Sequence, residues 1–415
     1  MATTSISITP QFGNNTVTEI NCGSSSPRLS GTIDLSAFPN LTGFRCINNH
    51  ITAISGYENN ANLTFINLGT NKITGNLPSF AGTPNLGTAV YSNNLYSGTI
   101  QNYNSQLKNF QCLNNNLSGR IPDLTNTNGW TNFLVHDNNL TGPIPPSLSN
   151  QVAMLVFSCY SNPLTGSIPN INSCTKLQRF LLASCNLTGS IPNLTNNVDL
   201  TECWFHNNLL TGSIPSLSAN TELEKFFCYN QRGTTSKLSG FAGGSVSNTL
   251  GEFQAQNNQL TRTTVNTILS TFDATTRTAD PRILILGGTG NFAPSYTGGF
   301  TTTLTGSNFT TLGTTVTANV TNHNHPNGSL VTITGLQSVF TGTFAISSIN
   351  ANQFRYTVAT DSPTLVTGTG TATMRRTTNA NDGFRFYQNL ARFGRLATVQ
   401  SGLSGFPWDV TVNLP

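Results

Sequence analysis

The sequence predicts a mainly β chain: a solenoid on a parallel β-sheet of about 10–11 turns, with a small antiparallel β domain near the C-terminus. Three observations predict it. The phrase LTGSIP stands at Leu164, Leu187 and Leu210, with variants at Leu29 (LSGTI), Ile73 (ITGNLP), Leu117 (LSGRIP), Leu140 (LTGPIP) and Leu238 (LSG). Its apolar slot recurs at 29, 51, 73, 95, 117, 140, 164, 187, 210, 238 and 260, a spacing of 22–24 residues with one gap of 28. A period of that length is the mark of stacked supersecondary units. Residues 301–378 then abandon the repeat for Thr-, Gly- and Val-rich alternation.

Within each unit, an Asn is expected two residues before the slot: Asn49, Asn71, Asn93, Asn115, Asn138, Asn162, Asn208 and Asn258, with Cys185 and Gln231 as substitutes. Apolar residues lie three and five before it, as in Phe110/Cys112, Phe133/Val135 and Cys203/Phe205. Alternation over so short a run reads as a strand with one face inside. The Asn amide at the strand's end can satisfy backbone groups that a tight turn would leave unpaired. The Gly-x-Ile-Pro tail turns the chain to the opposite side, where Pro cannot join a ladder. This is the pattern of leucine-rich repeat proteins, and the LxGxIP tail resembles their plant-type subclass over residues 17–260 of 415, about 60% of the chain.

Five segments follow. Residues 1–28 are a polar lead-in with a cap strand supplied by Val17, Ile20 and Cys22, and 29–278 are the solenoid. Gln231–Lys237 reads as a projecting loop, and Val265, Ile268, Leu269 and Phe272 have the spacing of a short helix. Residues 279–300 form a cap segment with a strand at 282–286. Residues 301–378 are the antiparallel module, with strand text at Val316–Val320, Leu330–Ile333, Thr343–Ile346 and Phe354–Val358 and turn signals between. Its text resembles a β module of tailed-phage structural proteins. Residues 379–415, with Phe384, Phe386, Tyr387, Leu390, Phe393 and Trp408, read as a tail packing back on the cap, which would make the module an insertion.

Charged residues make up 8% of the chain, with only five lysines, and the net charge of +4 includes no basic run. Nucleic acid is therefore not an expected partner. No apolar stretch has the length of a membrane span, and MATTSISITPQFG lacks signal-peptide character. A neutral, hydroxyl-rich surface without an export signal suits a virion protein, and localisation in the virion is the expectation. Extracellular secretion is the alternative. The eight cysteines mostly occupy inward strand positions (Cys22, Cys46, Cys112, Cys159, Cys228 and Cys203), where a small apolar residue suits the stack, so free thiols are expected. The sequons at Asn62, Asn116, Asn139 and Asn186 fall out of the repeat text.

His323 and His325 are spaced like strand ligands, but no third ligand accompanies them, and no cofactor or metal is expected. No nucleophile elbow, phosphate loop or recurring acid pair occurs, so catalysis is not expected. One face stands out. The outward strand positions become Leu134/His136, Tyr160, Leu181, Trp204/His206 and Phe227/Tyr229 in the later units. Neighbouring rungs about 4.8 Å apart would join them into one apolar strip. The expected function is non-enzymatic recognition or structure on a phage particle, as a capsid decoration or tail protein that stabilises the particle or attaches it to a host. Other virion proteins are the expected partners, with an oligomer in the particle and a host surface protein or glycan as a further partner. A secreted bacterial leucine-rich repeat adhesin or glycan-binding protein is the alternative.

Overall fold

The structure is a computed structural model. It describes residues 16–274 apart from 25, 59 and 126–128, then 282–286, 299–305, 309–312, 314–319, 330–334, 342–345, 347–350, 352–358, 369–375, 398–399, 403–404 and 408–411. His323, His325 and the segment from Phe384 to Phe393 lie outside the described residues.

Each repeat contributes one three-residue strand to a parallel sheet. That sheet runs from Glu19–Asn21 through Gly43–Arg45, Phe65–Asn67 and successive units to Glu252–Gln254 and Arg282–Ile285. Pairing is in register from rung to rung, so like positions stack on like. The central inward position builds one column: Phe110, Phe133, Phe157, Phe180, Cys203, Phe226 and Phe253 are all solvent-inaccessible. Phe133 and Phe157 stack with ring centroids 5.6 Å apart, as do Phe226 and Phe253. A second column two residues on holds Tyr91, Cys112, Val135, Cys159, Leu182, Phe205 and Cys228. A linear stack of this kind needs no single large core, because every rung buries its face on its neighbours.

The Asn column works as a hydrogen-bonded ladder. Asn208 Oδ1 accepts from the Leu187 amide of the preceding rung at 3.1 Å, while its Nδ2 donates to Leu182 O at 2.9 Å and Phe205 O at 3.1 Å. Gln231 does the same work with a longer arm, accepting from Leu210 N at 2.9 Å and donating to Phe205 O and Cys228 O at 3.0 Å. Cys185 brings only a thiol to its place. There, Arg232 from the Gln231–Lys237 loop reaches back two rungs to donate to Cys185 O and Asn186 Oδ1. One repeat departs from the expected register. Its ladder residue is Asn94, not Asn93, with Oδ1 accepting from Ile73 N at 3.0 Å. The buried slot is Tyr96, and Leu95 is 48% exposed. Asn93 instead takes the left-handed turn position at φ 57°, as Asn48, Asn114, Asn207, Asn230 and Asn257 do in their units. Asn tolerates that conformation better than most residues.

A second ladder runs along the opposite edge of the core. Asn60 donates to Phe38 O at 2.9 Å, Asn104 to Thr83 O at 2.7 Å, Asn197 to Ile171 O at 2.9 Å and Asn220 to Leu194 O at 3.0 Å. Gln151 and Cys174 fill equivalent places in their rungs. Beyond the slots, the Ser/Thr-Gly text forms a second, shorter parallel layer at Thr74–Asn76, Leu95–Thr99, Asn116–Gly119 and Asn139–Leu140, and a separate pair at Ser30–Asp34 and His50–Ser55. At Gly98, φ is 75°, a backbone conformation that favours glycine, and an added Cβ would lie 2.4 Å from Asn76 Oδ1 of the rung before, so that side chain would have to move.

The helix spans Arg262–Ala274, with Val265, Ile268 and Phe272 buried on the last repeat. Thr261 caps it, its Oγ1 accepting from Thr264 N at 3.1 Å. Arg282–Ile285 joins the main sheet beside Glu252–Gln254, and Trp408–Thr411 then pairs with it in parallel. Between those two strands lie two four-stranded antiparallel sheets. One contains Gly299–Thr305, Leu330–Thr334, Gly342–Ala345 and Thr369–Arg375; the other contains Phe309–Leu312, Thr315–Asn319, Ser347–Asn350 and Gln353–Thr357. Val316, Ala318, Phe354 and Tyr356 are buried there. No helix among the described residues is long and apolar enough to cross a membrane.

Candidate functional site

The outward positions of the main sheet form three columns. The first runs Asn109, Asn132, Val156, Arg179, Glu202, Lys225 and Glu252; the second runs Gln111, Leu134, Ser158, Leu181, Trp204, Phe227 and Gln254. The third, two residues further, carries His136, Tyr160, Ala183, His206 and Tyr229. All eight residues singled out from the sequence therefore share one face. The inward columns beneath them are already filled by Phe157, Phe180, Cys203, Phe205, Phe226 and Cys228.

The rings do more than stand side by side. His136 stacks on Tyr160 at 4.2 Å and His206 on Tyr229 at 4.4 Å, while Trp204 stacks on Phe227 at 6.1 Å. Tyr160 and Trp204 belong to rungs separated by one rung, yet their rings meet at 5.8 Å. They lean over the intervening Leu181 and Ala183, which are left 3% and 1% exposed. Leu181 is thus a floor of the strip. His136 is also buried, at 9% exposure, and its Nδ1 shares a hydrogen bond of 2.9 Å with Ser158 Oγ. Leu134, Tyr160, Trp204, His206, Phe227 and Tyr229 remain half-buried and form the accessible surface. The sequence cannot show this mutual covering, because it depends on side chains bridging two rungs.

Polar groups frame the strip. Along one margin, Glu202 receives Arg179 at 3.1 Å and Lys225 at 3.8 Å. Within it, Trp204 Nε1 and His206 Nδ1 are buried without a hydrogen-bond partner. Burial lowers both histidines to about 4, so the rings are neutral and the face carries no positive charge from them at neutral pH. Burial likewise raises the Tyr229 hydroxyl, which stays protonated. No group of His, Cys, Asp or Glu among the described residues could hold a metal.

All eight cysteines are free thiols. Burial pushes Cys112 and Cys159 well up, and Cys174 and Cys185 to about 11. Cys22, half-buried on the first rung, is pushed down by its hydrogen bond from Cys46.

The arrangement defines a parallel β-solenoid with an aromatic outward face. No family model matches the chain, and no curated protein does. Among solved structures it is similar to a TDR receptor, at 23% identity and a TM-score of 0.46, covering 60% of this chain and 52% of that one. It is similar to a plant ice-binding protein at 18% identity, with a TM-score of 0.42 and coverage of 55% and 77%. An internalin of Listeria monocytogenes aligns at 20% identity, with a TM-score of 0.41 and coverage of 63% and 72%. The chain thus spans about half the length of the TDR receptor.

Proposed function

We propose that the chain is a non-catalytic recognition scaffold whose aromatic face docks a protein partner. The observation that carries this reading is the strip itself: half-exposed rings on adjacent rungs that the solenoid's own inward columns do not require. An apolar, aromatic centre edged by Arg179, Glu202 and Lys225 has the anatomy of a protein interface, where charge is depleted at the core and collected at the rim. Such central aromatics commonly supply most of the binding energy. A surface of low charge and high hydroxyl content supports a setting on a phage particle, with other virion proteins as partners in an oligomeric assembly, or a host surface protein on the outside. A secreted adhesin that stacks glycans on the same rings is the second reading, favoured by the accessible ring faces of Tyr160, Trp204 and Tyr229.

The test is photo-crosslinking from within the strip. A benzophenone amino acid at Phe227, in protein expressed together with the rest of the particle, is expected to give a discrete protein adduct, with the chain itself present in purified particles. Absence of the chain from particles would overturn the setting. Absence of a protein adduct, with glycan capture instead, would overturn the protein partner.

A further inference from the structure

A separate site lies on the second layer, away from the aromatic face. The strand His50–Ser55 pairs with Ser30–Asp34 before it but not with Thr74–Asn76 after it, so the layer breaks between these two rungs. The backbones stay joined at Lys72 N to Ile51 O, 2.9 Å, and part beyond that point. The first of the two rungs runs on extended to Ser55 and turns only at Gly56, where φ is 82°. Its neighbour turns earlier, at Gly75, where φ is 91°.

The gap is real space. At Gly98, Gly119, Gly142 and Gly166 an added Cβ would meet the preceding rung within 3.3 Å, whereas at Gly75 it would meet nothing within 4 Å. A cavity of about 360 Å³ fills the break, with Ala53, Ile54 and Glu58 on one side and Thr74 and Asn76 on the other. That volume lies within the range of sites that hold small ligands. Tyr96 lines it from below. The side chain is 2% exposed, and its Oη is buried without a hydrogen-bond partner. Such an orphaned hydroxyl costs stability unless something satisfies it. Burial also raises the Tyr57 and Tyr96 hydroxyls well above their usual range, so both remain neutral.

The electrostatics select the ligand. Glu58 is the one acidic side chain among the described lining residues, and no Lys, Arg or His lines the cavity beside it. The remaining wall is aliphatic, aromatic or neutral polar. We infer that the break in the second layer is a binding site for a small organic cation, an amine with a compact apolar body, whose ammonium faces Glu58 and whose body lies between Ile54 and the Tyr96 floor. An anion of the same shape would meet only repulsion from Glu58.

The experiment is a titration of the whole chain with benzylamine, benzyl alcohol and benzoate, read by calorimetry and ligand-observed NMR. Benzylamine is expected to bind saturably and benzoate not to bind. Glu58→Gln is expected to weaken benzylamine by about tenfold or more, the scale of one charge-assisted hydrogen bond. Thr74→Trp, which fills the mouth from an exposed position, is expected to abolish binding with the melting temperature retained. No saturable binding of benzylamine, equal binding of benzoate, or indifference to Glu58→Gln would each overturn the inference.

Discussion

At the residue scale, the ladder Asn is the position on which each rung depends. Asn208 is fully buried and satisfies one amide and two carbonyls that no water can reach. Asn208→Ala leaves those groups unpaired, and a loss of roughly 3 kcal/mol is expected from denaturant unfolding, with Asn208→Gln recovering part of it as Gln231 does naturally. A loss below about 0.5 kcal/mol would show that the ladder is ornamental. Thiol chemistry gives a second check. Cys22 is half-buried with its pKa pushed down, whereas the other seven thiols are buried. Brief alkylation of the native protein is expected to modify Cys22 alone, and alkylation after denaturation without reductant all eight; several unreactive thiols in the second case would reveal disulfides.

The same scale shows what was legible in the sequence. The repeat spacing puts the slot of the SNNLYSG unit at Leu95, whereas the buried residue is Tyr96. The Ser97–Gly98 pair decides for Tyr96, since Gly98 must take the left-handed turn that Gly119 and Gly142 take after their slots. The second ladder left a readable trace, Asn three residues before an apolar position, at Asn60/Leu63, Asn104/Leu107, Asn197/Leu200 and Asn220/Leu223. It was obscured because Thr83, Gln151 and Cys174 break the pattern in other rungs.

At the element scale, the outward face of the sheet couples stability to pH. His136 and His206 are held at about 4 by burial, against an ordinary value near 6.5 in the unfolded chain. Between those values the unfolded chain binds protons that the folded chain refuses. Stability is therefore full above about pH 6.5 and is lost as the pH falls toward 4. Asp34 and Asp123, held below their usual range by hydrogen bonds, titrate beneath that window. The melting temperature is expected to decline from pH 7 to pH 4.5, and His136→Phe with His206→Phe to flatten the decline. An equal decline in the double variant would assign it elsewhere. Which columns face outward could be read from the repeat; that Tyr160 and Trp204 close over Leu181 could not, because the contact skips a rung.

At the scale of the whole molecule, the solenoid and the antiparallel module obey different rules. The repeat was legible because each unit repeats the same local chemistry many times. The module's strand pairing joins segments as distant as Gly299–Thr305 and Thr369–Arg375, which no local pattern encodes. The module lies between Arg282–Ile285 and Trp408–Thr411, neighbouring strands of the main sheet, and we propose that it is inserted within the cap. Replacing 301–378 by a short Gly/Ser bridge is then expected to leave a repeat domain that unfolds cooperatively. Loss of all folded structure would make the module part of the cap itself.

The most direct measurement concerns the face proposed to dock a partner. Trp204→Ala with Tyr229→Ala removes two rings that lie outside the inward columns but pack on Phe227 and His206. A modest fall in melting temperature is expected, with occupancy of the chain in purified particles, or attachment to the host, reduced by about tenfold or more. Unchanged occupancy and attachment in a folded double variant would contradict the assignment of this face to recognition.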